Sequence, residues 1–539
     1  MKLVSTILPI AGALMIVFGI VILLAFPTYI ARKIQSENYL GHEPNGSLNA
    51  MTKSWLTPTY DMKLAIWVYS VTNAKAVVDG AKPHVVEKGP YTFIEKQSKN
   101  YTFLIGDERI LYFNNHTYHF SSNDSCLTCF LNDKVTVPNI LLQKLIDAHD
   151  EAGFAIKFAI EEAIKLANES VFLTVNVGDL LFNGYDDPLV SKICHYPLVN
   201  TICKSLGIPD KIGLFYGQNN TDDGSYLINT GLKAATDLGK LYAWKNMTIL
   251  PGKYWYGPQA RMINGTDGQL FSPFLLPNQK LTIFVGQICR SVDMEVTGAQ
   301  VFRGVDTYEY SPAKSMNDVE FQRSLGFCNP LSPIYFADPE IQPRNCSPKG
   351  LMDISSCAPN NPRIYISQPH FYGSPSALGS AIDGLARPSE NDRTYVLINP
   401  FVGVVTEAMR RSQLNIGVLP GKIPTLSKLK PSIIPIIWLN ETAIFDEETR
   451  GLLTQVSFFT KISTFVGIIV LSLGCFLILL TIGTLLVKKY YRKVEEPLIN
   501  DDDEEEEIEV PLPNASLIVI QEAPVIQPVV VEPVAYQAI

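Results

Sequence analysis

The number and positions of the cysteines in this chain predict disulfide bonds. Eight of the nine lie between residues 126 and 357, and an even number in one stretch is typical of proteins that fold in an oxidising compartment. The Cys-x-x-Cys spacing of Cys126 and Cys129 also occurs in redox and zinc sites, but no second such pair or histidine pair follows at ligand spacing. We therefore predict no metal site and structural disulfides among Cys126, Cys129, Cys194, Cys203, Cys289, Cys328, Cys346 and Cys357.

Asparagines within Asn-x-Ser/Thr sequences indicate N-glycosylation in the same part of the chain. This sequence is an acceptor only on the non-cytosolic side of a membrane, and many copies in one segment are far more informative than a single one. The predicted sites are Asn45, Asn100, Asn115, Asn123, Asn168, Asn219, Asn246, Asn264, Asn345 and Asn440.

No residue pattern typical of an enzyme is present. The sequence lacks His-Glu-x-x-His, a phosphate-binding glycine loop, an EF-hand and the Gly-x-Ser-x-Gly spacing of a nucleophile elbow. We predict no catalytic residue and no cofactor. Imidazole titrates in acidifying compartments, so His116, His119 and His149 are the side chains to consider for a response to pH.

The C-terminal segment resembles a set of sorting signals. Residues 536–539, with Tyr536 and Ile539 at the ends, fit the tyrosine-x-x-apolar pattern that clathrin adaptors bind in extended form. Leu498 and Ile499 after Glu495 and Glu496 resemble an acidic dileucine signal, although Val494 stands where that signal has an acid. The basic residues 488, 489, 492 and 493 suggest phosphoinositide contact as well as a topology determinant.

Two long apolar runs flank the segment that contains the sequons and the eight cysteines, and they are expected to anchor it to a membrane. Residues 7–27 and 462–487 are each long enough to cross a hydrocarbon core of about 30 Å, and Pro27 is expected to end the first helix. Basic residues after the second run predict a cytosolic C-terminus. The sequons then place residues 28–460 in the lumen or outside the cell, with residues 1–6 and the tail 488–539 in the cytosol.

Between the spans, short β-rich runs separated by turn residues predict a mainly β domain. One helical segment interrupts it: Pro138 is suited to the first turn of a helix that reaches His149, and a second helix follows from 153 to 168. This second helix carries Phe154, Phe158 and several isoleucines. They either pack on the neighbouring helix and the β domain or form an apolar surface for a protein or lipid ligand.

The net charge of −9 comes from the tail, where twelve acidic and no basic residues follow position 494. Acidic and apolar runs of this kind cannot build a core, so the tail is predicted to be disordered. No basic stripe is present, which argues against a nucleic-acid partner.

Segments throughout the predicted ectodomain resemble the class B scavenger receptors, the family that includes the type two lysosomal integral membrane protein. They begin with KPHVVEKGPY at 82–91 and LLFNGYDDP at 180–188. Further matches, in the same order, lie at 213–216, 263–268, 288–291, 353–357, 367–371, 382–385, 393–395 and 435–442. The resemblance covers nearly the whole loop, and the two-span topology is also that of the family.

The resemblance implies a non-enzymatic receptor of the α+β class: two transmembrane helices flank an irregular antiparallel β-barrel with a helical-bundle cap, at about 137–200, and an apolar tunnel for lipid. It also implies that Cys289 pairs with Cys357 and Cys328 with Cys346. We expect two further short loops closed by Cys126 with Cys129 and by Cys194 with Cys203. In the lysosomal member, a cap histidine takes part in pH-dependent hydrolase binding, and His149 lies in that region.

The sequence thus predicts an endosomal or lysosomal membrane receptor that cycles by its tail signals. Its expected partners are lipids (cholesterol, phospholipid or fatty acid), lipoprotein particles, a lysosomal hydrolase, clathrin adaptors and phosphoinositide. The alternative is a plasma-membrane scavenger or adhesion receptor for particle or lipid uptake. A membrane-tethered hydrolase is a remote third reading, which turnover of a substrate by the ectodomain would support.

Overall fold

The computed structural model describes residues 2–194, 196, 200–201, 203–204, 207–313, 324–358 and 361–494. Its strands are β1 Asp61–Val71, β2 Val85–Leu104, β3 Arg109–Phe120, β4 Lys134–Pro138, β5 Phe172–Asn176, β6 Thr221–Asn229, β7 Leu241–Trp244, β8 Leu281–Val285, β9 Arg290–Phe302, β10 Val305–Pro312, β11 Met352–Asp353, β12 Ile364–Ser367, β13 Tyr395–Ile398, β14 Val405–Val418 and β15 Ser432–Ile444. Its α-helices are α1 Lys2–Glu37, α2 Ala50–Leu56, α3 Ala74–Val78, α4 Ile140–Glu151, α5 Phe154–Ala167, α6 Pro188–Lys192, α7 Ser376–Ser380 and α8 Glu447–Val494.

Along the strands, buried and more exposed side chains alternate, as in the wall of a β-barrel. In β1, Met62, Leu64, Ile66 and Val68 are buried while the residues between them are more exposed, as expected for a period of two. The strands form one antiparallel sheet in the order β7-β6-β3-β2-β1-β15-β14-β13-β10-β9-β8, with β12 and β11 branching from β14. Thr266 bridges Ile283 in β8 and Lys240 beside β7, so the sheet is nearly closed. The predicted irregular antiparallel barrel is confirmed.

The cap combines the two predicted helices with a small sheet that the sequence analysis did not predict. Strands β4 and β5 pair on either side of α4 and α5, with Pro138 opposite Phe172. Pro138 therefore ends a strand, and its prediction as a first-turn helix residue was wrong. Asn139 caps α4 instead: its side-chain oxygen accepts a hydrogen bond from the Leu142 N–H at 3.0 Å.

Helices α1 and α8 are long and apolar enough to cross a membrane. The expectation that Pro27 ends the first helix was wrong, because α1 continues to Glu37 and contains Pro27. The hydroxyl of Thr28 donates to the Leu24 carbonyl at 2.6 Å, a local bond of the kind that lets a membrane helix tolerate proline. Helix α8 begins in the ectodomain, where Leu453 packs with Val305 and Phe445. The span limits 7–27 and 462–487 remain predictions.

Candidate functional site

The cap presents an exposed apolar surface on α5. Phe154 is 89% exposed and Phe158 is 60% exposed, and Ile156 and Leu166 are exposed as well. We call Phe154 and Phe158, which lie about one helical turn apart on the same side of α5, the cap face; Ile156 and Leu166 project from other sides of the helix. The apolar stripe predicted from the sequence is therefore divided, because Ile160 is buried in the core while the phenylalanines point to solvent. Exposed aromatic side chains on one side of a helix are typical of surfaces that bind a protein or a lipid.

His149 does not lie on this surface. It is buried, and its Nε2 lies 3.0 Å from Oε1 of Glu161 on α5, while its Nδ1 lies 3.3 Å from Oδ1 of Asp150. The structure thus separates His149 from Phe154 and Phe158 and uses it to join α4 to α5.

An apolar pocket of about 480 Å³ lies at the end of the barrel nearest the predicted second span. Phe274, Leu275, Tyr308 and Phe401 contribute to its lining. Asp306 also lines it, and its Oδ2 lies 2.7 Å from Nζ of Lys461, the last charged residue before the span. The volume is within the range of pockets that enclose small ligands. It lies at the level where the predicted second span begins.

Charged side chains also occupy the inner wall of the barrel. We call five of them, from five strands, the inner-wall cluster: Glu95, His116, Asp223, Arg410 and Glu441. Arg410 and Glu441 lie opposite each other in β14 and β15, and Nη2 of Arg410 donates to Oε2 of Glu441. His116 Nδ1 lies 2.7 Å from Oε1 of Glu95, and the hydroxyl of Tyr226 donates to Oδ2 of Asp223 at 2.5 Å.

The sequence analysis considered only His116 of this cluster. A period-two reading of β2 would have found Glu95, because it shares a face with the buried Tyr91 and Phe93. No sequence signal connects Glu95 to Arg410 and Glu441, which lie more than 300 positions later in the chain.

A second buried histidine, His370, connects two carboxylates from different parts of the barrel wall. His370 Nε2 lies 3.1 Å from Oε2 of Glu87, and its Nδ1 lies 3.0 Å from Oδ1 of Asp392. Burial alone would lower the pKa of His370, but the hydrogen bond with Glu87 and the charges of both carboxylates raise it above the usual value. Trp438 donates to the same Glu87 at 2.9 Å and stacks on Trp67. These contacts give the 367–371 segment a structural role.

The cysteines occupy the positions expected of structural disulfides. The structure joins Cys126 to Cys129, Cys194 to Cys203, Cys289 to Cys357 and Cys328 to Cys346. Most of the predicted glycosylation sites are exposed; Asn115 and Asn440 are half-buried. Glycosylation itself remains a prediction. The sorting residues Leu498, Ile499, Tyr536 and Ile539 lie outside the described residues.

Comparison with known proteins agrees with this architecture. The CD36 family matches residues 10–485. Scavenger receptor class B member 1 of Bos taurus is 26% identical over 475 residues, which cover 87% of this chain and 87% of the relative. Lysosome membrane protein 2 of Homo sapiens is 30% identical over 427 residues, which cover 78% of this chain and 83% of the relative. The chain is therefore a member of the CD36 family, and it is a membrane receptor of the class B scavenger receptor type.

Proposed function

We propose that this protein is an endosomal or lysosomal membrane receptor whose cap face binds a lumenal ligand and whose barrel carries lipid to the membrane. The observation that carries the proposal is the exposure of Phe154, Ile156, Phe158 and Leu166 on one helix. The ligand classes are lipid, lipoprotein particles or a lysosomal enzyme. Both named relatives support the class of protein: one is a scavenger receptor and the other a lysosome membrane protein.

The position of the predicted glycan at Asn168 is compatible with ligand binding. Asn168 is the C-cap of α5, whereas Phe154 begins the same helix. The 14 residues between these ends span roughly 20 Å at about 1.5 Å per residue. A glycan at Asn168 therefore leaves the phenylalanine end of the helix accessible.

The pocket at the membrane end supports the lipid part of the proposal. Its lining is mainly apolar, and Asp306 at its edge is neutralised by Lys461. A lipid tail that left this pocket would enter the bilayer beside α8. We propose that the pocket is the membrane end of the tunnel that the family resemblance implies.

The direct test of receptor function is ligand binding by the double variant Phe154→Ser with Phe158→Ser. Full-length protein in nanodiscs is screened at pH 5 and pH 7 against phospholipid vesicles, lipoprotein particles and lysosomal hydrolases. We expect the ligand that binds the wild type to lose about tenfold or more in affinity, because central aromatic anchors dominate binding energy. Both side chains are exposed, so the fold should be retained.

The matched control is Leu331→Ser, which removes an apolar side chain that is 80% exposed on a loop outside the cap. It should bind like the wild type. Unchanged binding by the double variant, or an equal loss in both variants, would contradict a role for the cap face. The alternative of a plasma-membrane scavenger or adhesion receptor differs in cellular location. It is tested by variants of the tail and not by this binding experiment.

A further inference from the structure

The inner-wall cluster faces a space inside the barrel. Arg410 and Glu441 expose 42% and 26% of their side-chain surface. Both lie within strands that have a paired neighbour on each side, and Glu441 is opposite the buried Leu64 on the inner face of β1. Since side chains on this face point inward, the surface that Arg410 and Glu441 expose lines an internal space.

This space and the membrane-end pocket lie along the same face of the sheet. Ala408, the next inward residue of β14 after Arg410, is opposite Val396, and Val396 is opposite Tyr310. Tyr308, two residues along β10 from Tyr310, lines the pocket. A lipid that occupied the pocket and extended along the inner wall would therefore meet Arg410 and Glu441 after about four strand residues, or roughly 13 Å along the strands, and across two strand spacings of about 5 Å each.

The cluster has more acids than bases. Glu95, Asp223 and Glu441 supply three carboxylates, and Arg410 with His116 supplies two bases. Arg410 is already bonded to Glu441, and His116 to Glu95. The bases therefore have partners within the cluster, and an incoming anion would add a negative charge to a site that already has an excess.

We propose that the inner-wall cluster determines lipid specificity: it admits lipids whose polar group is uncharged and rejects amphiphiles that carry an anionic head. This inference rests on the proposed lipid-carrying function of the barrel. A hydroxyl can donate to Glu441 and accept from the N–H groups of Arg410 that have no acceptor among the described residues, without changing the charge of the cluster. A carboxylate or sulfonate cannot approach Arg410 without also approaching Glu441, and inside a protein the repulsion is poorly screened.

Acid conditions should weaken this rejection. The groups that face His116 are Glu95 from β2, Asp223 from β6 and Glu441 from β15, while Asn114 lies 3.0 Å from its Nε2. Burial would lower the pKa of His116, but the hydrogen bond and charge of Glu95 raise it above the usual value. Burial also raises the pKa of Asp223, against the charge of the neighbouring Lys245, and the pKa of Glu441, against the charge of Arg410. Falling pH therefore adds positive charge at His116 and removes negative charge at Asp223 and Glu441. At Glu95, burial is outweighed by the hydrogen bond and charge of His116, which lower the pKa of that carboxylate and keep it charged.

The experiment is photoaffinity labelling of the full-length protein in nanodiscs at pH 7.5 and pH 5. The probes are a photoreactive sterol, which is uncharged, and a photoreactive alkyl sulfonate, which keeps its negative charge at both pH values. Labelled peptides are mapped by mass spectrometry. In the wild type at pH 7.5, we expect the sterol to label β14 and β15 at least about tenfold more than the sulfonate. The ratio should fall at pH 5.

The decisive variant is Glu441→Gln, which leaves Arg410 without its anionic partner but keeps an oxygen that accepts its hydrogen bond. Sulfonate labelling of β14 and β15 at pH 7.5 should rise about tenfold, and sterol labelling should persist. The control is Glu295→Gln, which makes the same charge change where Glu295 pairs with Lys280 outside the cluster. It should label like the wild type.

The outcomes separate this inference from the proposed function. Equal labelling of the inner wall by sterol and sulfonate in the wild type, or identical behaviour of Glu441→Gln and Glu295→Gln, would overturn the charge selection alone. Failure of both probes to label the barrel interior would overturn lipid carriage and the inference together.

Discussion

At the scale of single residues, the half-buried carboxyl group of Glu169 and the buried carboxyl group of Asp187 connect parts of the cap. The Leu189 N–H donates to Oε1 of Glu169 at 2.6 Å and to Oδ1 of Asp187 at 2.9 Å, so the two carboxyl groups meet at one donor. Asn139, which caps α4, donates to the other oxygen of Glu169 at 2.6 Å. Burial and the charge of Asp187 raise the pKa of Glu169 to about 8.

This pair should make the cap more stable in acid than at neutral pH. The pKa of Glu169 in the folded protein is raised above its unfolded value of about 4.3, so its contribution is complete below that value and is lost as pH rises through about 8. We expect Glu169→Gln to remove on the order of 2 kcal/mol of the difference in unfolding free energy between pH 5.5 and pH 8.5. Differential scanning calorimetry at the two pH values measures this.

The control is Glu162→Gln on helix α5 of the cap, because the Glu162 side chain is 41% exposed and pairs only with Lys165 among the described contacts. Its pH dependence should match that of the wild type. If Glu169→Gln also kept the wild-type pH dependence, the two carboxyl groups would not share a proton in the folded cap.

At the scale of elements, glycines bring the two membrane helices into backbone contact. A Cβ added to Gly474 in α8 would lie 2.8 Å from the Gly12 carbonyl oxygen and 2.8 Å from the Ile16 nitrogen. A Cβ on Gly12 would lie 3.0 Å from the Gly474 oxygen. Close approach of this kind stabilises membrane helices through packing, because lipid supplies no hydrophobic drive for their association.

We therefore predict that Gly474→Val pushes α1 and α8 apart. The branched side chain cannot fit against a backbone, and overpacking typically costs about 1–3 kcal/mol. The melting temperature of the full-length protein in detergent, followed by size-exclusion chromatography after heating, should fall. Gly483→Val is the matched control in the same helix, since nothing lies within 4 Å of a Cβ added there. Equal melting of the two variants would argue against a tightly packed helix pair.

At the scale of the whole molecule, the two proposed locations differ in what they require of the tail. The ectodomain architecture belongs to relatives named as a scavenger receptor and as a lysosome membrane protein, so it is compatible with either location. We propose that the tail, which is predicted to be cytosolic and to bind adaptors, directs the protein to one of the two locations.

Replacement of Tyr536, Leu498 and Ile499 by alanine should move the protein from vesicles to the plasma membrane. Adaptors bind the aromatic ring and the aliphatic side chains in pockets, which alanine cannot fill. Surface biotinylation and imaging of the full chain measure the redistribution, and we expect a several-fold increase at the surface. Tyr491→Ala is the control, because Tyr491 fits the same pattern but lies at the end of α8, close to the bilayer. A vesicular location that survives the triple change would exclude these signals.

The sequence by itself determined the features that depend on local composition and period. Apolar runs of sufficient length predict spans, alternation predicts strands, and sequons with cysteines predict the compartment of the ectodomain. The wrong predictions at Pro27 and Pro138 have the same cause. Both relied only on where proline usually occurs in a helix. In the structure, α1 continues through Pro27 against α8, and pairing with Phe172 places Pro138 at the end of β4.

Only the tertiary structure decided which side chains meet. His149 turns inward to Glu161 while Phe154 and Phe158 point outward, although all three lie in the same amphipathic segment. Glu95 and His116, on β2 and β3, come close to Glu441 and Arg410, on β15 and β14, because only β1 separates β2 from β15 in the sheet. Such strand neighbours are set by packing of the whole barrel, and hydrophobic period in one strand carries no information about its distant partner.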